Sequence, residues 1–291
     1  MDQLKKKSGQ NYFEKKTMYG YFHTYEEFNI DGYPRKLKLL LPPEYENTKK
    51  HFPVVYMNDG NTVFDSEGLS PWSWNVHKSL SRLIKHNLIE SVIIVAVYPI
   101  DRNYEYLSVK NYHEYSGEIV HGCGGLKDYA NYLACSLKPF IDANYRTNPS
   151  CEKTSIVGSS FGAIASLYIS CVYSDQFGHA GVLSPAFFEI LNQKIRIENN
   201  AYIKEIAKAI TKTKNKPVLW IDWGEDEGLD EPEVAYLSKK VVKLFKNKLG
   251  FETGKNLFYF KDKYGTHDER AWEYRFKIFL ETLYKIDPSA K

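Results

Sequence analysis

The stretch that decides the fold is Thr154-Ser155-Ile156-Val157-Gly158-Ser159-Ser160-Phe161-Gly162-Ala163-Ile164-Ala165-Ser166-Leu167-Tyr168-Ile169-Ser170. A β-branched run, Thr154 to Val157, meets Gly158-Ser159-Ser160-Phe161-Gly162, and a small-residue helical pattern follows at once. This is G-x-S-x-G in a strand–turn–helix context, and the context gives the motif its meaning. Glycines two before and two after the serine let a strand turn sharply into a helix without a Cβ clash. Ser160 is then held at the tip of the turn with its hydroxyl in open space, as a nucleophile requires. A chance Gly/Ser turn is the competing reading, and the flanking strand and helix patterns weigh against it.

Outward from this turn, strand and helix alternate. Buried, continuously apolar strands are predicted at Phe52 to Asn58, Ser91 to Tyr98, His179 to Leu183, Pro217 to Asp222 and Asn256 to Phe260. Helical spacing is predicted over Val76 to Ile89, Leu126 to Ala143, Phe161 to Tyr173, Ile203 to Ile210, Glu233 to Leu249 and Asp268 to Ile286. Such alternation predicts an α/β fold whose mainly parallel central sheet carries helices on both faces. Met18 to Leu41 reads as antiparallel strands opening that sheet. Pro99 to Gly125 has no period, is rich in aromatic and polar residues, and reads as a lid or binding loop. No linker or repeat divides the chain, so a single domain over residues 1–291 is expected, with 1–16 a flexible tail.

The totals limit the function classes. The chain has 291 residues and a formal charge of +3, too mild to point to nucleic acid. The Lys5-Lys6-Lys7 run reads as a solvated terminus. The four cysteines, at 123, 135, 151 and 171, make no C-x-x-C pair and are expected to be free and mostly buried. No signal-peptide h-region opens the chain and no apolar run is long enough to span a membrane, so a cytoplasmic location without membrane contact is expected. No H-E-x-x-H, P-loop or dinucleotide fingerprint occurs, so neither a metal nor a cofactor is called for. The 23 tyrosines could form a surface for sugars or phenols, but a compositional bias accounts for most of them.

In a sheet of this kind ligands bind beyond the carboxyl ends of the strands. The loops Asp59-Gly60-Asn61, Gly158 to Gly162, Trp223 to Asp230 and Tyr264 to Asp268 should therefore gather at one edge. A serine hydroxyl needs a base to take its proton. Among eight histidines, His267 is favoured, since it follows the last strand and comes after the acidic loop; His113 and His121 are second-rank. The order serine, acid, histidine is that of the α/β-hydrolase fold. A carboxylate must orient the imidazole, and Asp222, Glu225, Asp226, Glu227 and Asp230 compete. Glu227, three residues past Gly224, is preferred, then Asp226. The oxyanion needs donors, expected from the amides of Phe161 and Asn61. Gly60, Arg102, Tyr104, Trp72 and Trp223 are candidates to shape the substrate pocket, with ordinary packing as the alternative for each.

These pieces together resemble the putative esterase family of α/β-hydrolases, which includes esterase D, enterochelin esterase-like proteins, and feruloyl and acetyl-xylan esterases. The resemblance rests on Tyr56 to Asn61, Arg102 to Tyr106, Gly124-Gly125, Leu137 to Ile141 with Tyr145-Arg146-Thr147, Gly158 to Gly162, Ser184-Pro185, Asp222-Trp223-Gly224 and Gly265-Thr266-His267. It implies a Ser160–Glu227–His267 triad, with the acid uncertain by one residue. It also implies a serine carboxylesterase acting on a small-molecule or glycan-linked ester, as in the enterochelin-esterase-like and carbohydrate-esterase branches. An acyltransferase and a silent binding module share the same scaffold; a homodimer is compatible with it.

Overall fold

The computed structural model describes residues 2–68, 70–108, 124–191, 196–228 and 231–286. Its strands are β1 (Gln3–Lys7), β2 (Gln10–Thr17), β3 (Gly20–Phe28), β4 (Arg35–Leu41), β5 (Val54–Met57), β6 (Ile93–Val97), β7 (Thr154–Ser159), β8 (His179–Leu183), β9 (Val218–Gly224) and β10 (Leu257–Asp262). They form one ten-stranded sheet in the order β1-β2-β3-β4-β6-β5-β7-β8-β9-β10. From β1 through the β4–β6 pair the strands run antiparallel, and from β6 to β10 every pair is parallel. The helices are α1 (Gly60–Val63), α2 (Val76–Lys85), α3 (Arg102–Tyr106), α4 (Leu126–Tyr132), α5 (Lys138–Asn144), α6 (Phe161–Val172), α7 (Ala201–Ile210), α8 (Glu231–Lys248) and α9 (Glu269–Leu283).

The pleat sorts side chains into two cores, because successive residues of a strand point to opposite faces. Val54 and Tyr56 face a core built with Ile164 and Leu167 of α6, Ile206 of α7 and Phe245 of α8. Val55 and Met57 face the other, with Leu80 of α2 and Phe276 and Phe279 of α9. A strand covered on both faces must be apolar at every position, and β5, β6 and β7 are buried along their whole length. The α/β-hydrolase architecture expected from the sequence is therefore present.

Three local features depart from the expectations. Residues 3–16, expected to belong to a flexible tail over 1–16, lie instead in the β1–β2 hairpin, which ends at Thr17 and pairs onto β3. Its turn residues Ser8 and Gly9 have φ of 44° and 84°, the left-handed pair that suits a two-residue hairpin. Tyr12 is buried against His23 and Tyr25, and Lys5 bonds Glu14. A ribbon with one buried tyrosine gives little apolar periodicity, so its sequence read as a tail. The single helix expected over 126–143 is α4 and α5 joined by a π turn at Leu133–Leu137. Pro139 cannot donate to the helical ladder, and a wider turn accommodates the missing bond. Of the described cysteines, all free, Cys171 is buried, Cys151 half-buried and Cys135 exposed, so the expected burial holds for one of them.

Candidate active site

Ser160 joins β7 to α6 with φ 54° and ψ −119°, a conformation that L-residues avoid. The two glycines show what compels it. A Cβ on Gly158 would lie 2.5 Å from the Gly162 carbonyl carbon and oxygen, so strand end and helix start touch backbone to backbone. A Cβ on Gly162 would lie 3.1 Å from both Asn58 Cβ and Asp59 Oδ2. The first turn of α6 therefore abuts the loop after β5. Asn58 fastens the two together, its Nδ2 donating to the Gly162 carbonyl at 3.0 Å and to Ser166 Oγ at 3.1 Å. Ser160 itself is anchored by its amide, which donates to the Leu183 carbonyl of β8 at 3.0 Å. Phe161 and Asn61, the expected oxyanion donors, sit in the first turns of α6 and α1, where backbone N–H groups lack intrahelical partners.

The acid and base meet on the other side of Ser160. His267 Nδ1 lies 3.0 Å from Glu227 Oε2. Glu227 follows β9 and His267 follows β10, two adjacent parallel strands, so both loops leave the sheet at the same edge. A Cβ on Gly224 would lie 2.0 Å from the Gly265 carbonyl oxygen, which explains the glycine where the two loops cross. Glu227 Oε1 accepts from Ser184 Oγ at 2.6 Å and from the Gly224 amide. Burial acts to raise the Glu227 pKa, but the hydrogen bonds from His267, Ser184 and Gly224 outweigh it, and the net shift is downward. The carboxylate form is therefore favoured, as an imidazole-orienting acid requires. Asp226 is exposed, and its amide donates to the Gly265 carbonyl at 3.1 Å. Of the other acids weighed, Asp222 is buried against Arg275, Glu225 pairs with Lys261, and Asp230 lies outside the described residues. With Nδ1 committed to Glu227, Nε2 is the ring nitrogen free to act as base. The hydrogen bond between His267 and Ser160 Oγ is not made in this conformation, a common state of such sites before substrate binds.

The candidate substrate residues divide. Arg102 reaches the site: Nε and Nη2 donate to the two Asp59 oxygens at 2.8 and 3.0 Å, and the guanidinium lies 4.9 Å from the Phe161 ring centre. Tyr104 is 42% exposed and packs on Gly125, where a Cβ would come within 2.2 Å of the ring. With Tyr33, Arg35, Asp101 and Tyr132 it lines a cavity of about 590 Å³. Trp72 is exposed beneath the Arg270 guanidinium at 4.3 Å. Trp223 and Gly60 are packing residues instead. Trp223 is buried in the core and stacks on Tyr259, and a Cβ on Gly60 would come within 2.4 Å of the Tyr98 ring. The irregular stretch 99–125 contains the short helix α3; His113 and His121 lie outside the described residues.

Asp59 and Ser184 enter the sequence analysis only as parts of a loop and a motif, with no role of their own, and Trp272 and Arg275 do not enter it. Arg275 carried a signal. It sits among Trp272, Phe276 and Phe279 on the apolar face of α9, where a charge must find a buried partner.

The "Putative esterase" family model matches residues 29–281. The chain belongs to the putative esterase family. Ester hydrolysis is the class of reaction that membership assigns, and the solved structures it resembles agree in fold. The siderophore hydrolase EstA from Aspergillus nidulans superposes with a TM-score of 0.66 at 16% identity, covering 90% of this chain and 94% of that one. An IroE-like serine hydrolase from Shewanella oneidensis gives 0.64 at 18% identity, covering 97% and 79%. A ferulic acid esterase from Anaeromyces mucronatus, in complex with ferulic acid, gives 0.60 at 22% identity, covering 96% and 93%. The uncharacterized protein YbbA of Bacillus subtilis (strain 168) is 21% identical over 160 residues, 53% of this chain and 58% of that relative's length. Among the described residues no helix is long and apolar enough to cross a membrane.

Proposed function

We propose that this esterase-family protein hydrolyses carboxylic esters through an acyl-enzyme on Ser160. The observation that carries the reading is the Glu227–His267 hydrogen bond at 3.0 Å, on the same sheet edge as a serine held in the strained elbow conformation. In the first half-reaction Ser160 Oγ attacks the ester carbonyl and its proton passes to His267 Nε2. The tetrahedral oxyanion is stabilised by the amides of Phe161 and Asn61. Its collapse breaks the carbonyl carbon–alkoxy oxygen bond, and His267 returns the proton to the leaving alcohol. Water then attacks the acyl-enzyme, giving its proton to His267, and the acid departs as Ser160 is regenerated. Glu227 holds Nδ1 and stabilises the imidazolium formed in each half.

Arg102, Tyr104 and Trp72 supply a guanidinium and exposed ring faces near this edge. That combination suits an ester with an aromatic acyl group or a polyhydroxylated alcohol, the kinds of molecule the ferulic acid esterase and the siderophore hydrolase are named for. The test is covalent labelling with a fluorophosphonate, read by mass spectrometry, alongside turnover of p-nitrophenyl, feruloyl-sugar and trilactone esters. Label on Ser160, and loss of both label and turnover in Ser160→Ala, is expected. Turnover surviving in Ser160→Ala overturns the reading.

A further inference from the structure

Behind the Glu227–His267 pair lies a buried polar network that a two-residue acid–base pair does not need. Ser184 directly follows β8 with φ 42°, and its hydroxyl meets the acid. Its Oγ can take part in three hydrogen bonds, donating one proton and accepting at two lone pairs. All three are used. The proton goes to Glu227 Oε1 at 2.6 Å. The lone pairs accept from Arg275 Nη2 at 2.8 Å and Trp272 Nε1 at 3.0 Å. Guanidinium and indole N–H groups can only donate. They therefore force the single Ser184 proton toward Glu227, a polarity the hydroxyl cannot reverse while both are in place. Arg275 is in turn fixed. Its Nη1 donates to Asp222 Oδ1 at 2.9 Å, its Nη2 also reaches the Thr266 carbonyl at 3.3 Å, and the residue is fully buried. Asp222 Oδ2 accepts from Trp220 Nε1 at 2.8 Å.

We propose that Ser184, polarised by Trp272 and Arg275, is a positioning residue for the catalytic acid. It locks one Glu227 oxygen so that the other is presented to His267 Nδ1. This rests on the triad reading above and goes beyond it by giving the acid its own support. Trp272 serves twice, since its indole also packs edge-on against the His267 ring at 5.1 Å between centres.

The test is a double-mutant cycle with p-nitrophenyl acetate. Ser184→Gly removes the hydroxyl while keeping the positive φ comfortable. Loss of one charge-assisted hydrogen bond predicts a fall in kcat of about 10- to 100-fold with KM unchanged. In a Glu227→Gln background the same substitution should cost almost nothing more, because the residue it supports has already lost its charge. Trp272→Phe, which deletes only one donor and keeps an aromatic ring, should give a smaller loss that also vanishes in that background. Wild-type kcat in both single variants, or losses that add in full to that of Glu227→Gln, would falsify the positioning role. Failure of the triad reading looks different: turnover would then persist in Ser160→Ala whatever Ser184 does.

Discussion

The two flanks of Ser160 are built on different principles. On one side, at the ends of β8, β9 and β10, Glu227, Ser184, Arg275 and Asp222 are all buried and hydrogen-bonded to one another. On the other, at the ends of β5 and β6, Arg102 and Asp59 form a half-buried bidentate pair, with Tyr104 exposed beside it. A dry network fixes geometry, because every donor has a partner and any displacement leaves a buried group unsatisfied. A half-wet flank tolerates rearrangement and can exchange contacts with a ligand. On the proposed reading, the first flank holds the chemistry and the second chooses the ester.

The sharpest way to break this contrast is to neutralise the acid. Glu227→Gln should lower kcat by about 10⁴-fold, the cost of disabling the orienting carboxylate of a triad, while Asp226→Asn stays near wild type. Comparable losses in both would mean that the buried flank does not single out one carboxylate. Next in size is Arg275→Met. It strips the cation from Asp222, whose pKa burial already pushes up to about 6 against the pull of Arg275. Breaking such a buried pair should cost about 3–5 kcal/mol of folding free energy, measured by urea denaturation. Adding Asp222→Leu should recover part of it, since the stranded carboxylate is removed, while Glu227, 3.6 Å from Arg275 Nη1, and the Trp220 Nε1 donor still lose a partner.

On the open flank the expected effect is smaller and of another kind. Arg102→Ala should raise KM about tenfold for an ester with an anionic or hydroxylated acyl group, with kcat changed little, as for loss of a contact made equally in ground and transition states. A fall in kcat with KM unchanged would place Arg102 in the chemistry and erase the distinction between the flanks. The smallest effect concerns the start of α9. Asp268 caps that helix, its side chain accepting from the Arg270 and Ala271 amides. Burial acts to raise its pKa, but bonds from Arg270, Thr266 and the two amides dominate, and the value falls from 3.8 to about 2. A depressed carboxylate stabilises the fold above its unfolded pKa, and that contribution is lost as pH falls through the folded value. Asp268→Ala should therefore cost about 1 kcal/mol near neutral pH, and wild type and variant should converge between roughly pH 4 and 2 in thermal melts, as these shifts require.

Legibility followed the range of the interactions. The parallel strands were readable because a strand covered on both faces must be apolar throughout, as Val54 to Met57 and Ile93 to Val97 are. The β1–β2 hairpin was not, because its stability comes from pairing with β3 and from Tyr12 packing on residues 23 and 25 rather than from its own pattern. Trp223 looked like a ligand residue beside an acidic loop, yet its place in β9 aims it into the core against Tyr259. Position in a loop predicted the right edge for Glu227 and His267. It carried no information about Ser184, whose role depends on α9 arriving from more than 80 residues away to offer two donors.

What the sequence alone determined was the elbow. Gly158 and Gly162 around Ser160 leave a strand-to-helix turn little choice, since that constraint is steric and acts within five residues. Which carboxylate faces His267, and what holds it there, was decided only by the tertiary structure. Glu227 and Asp226 are adjacent acids of similar intrinsic chemistry. Burial and hydrogen bonds from Ser184, Gly224 and His267 separate them, and those exist only once three distant strand ends have been brought together.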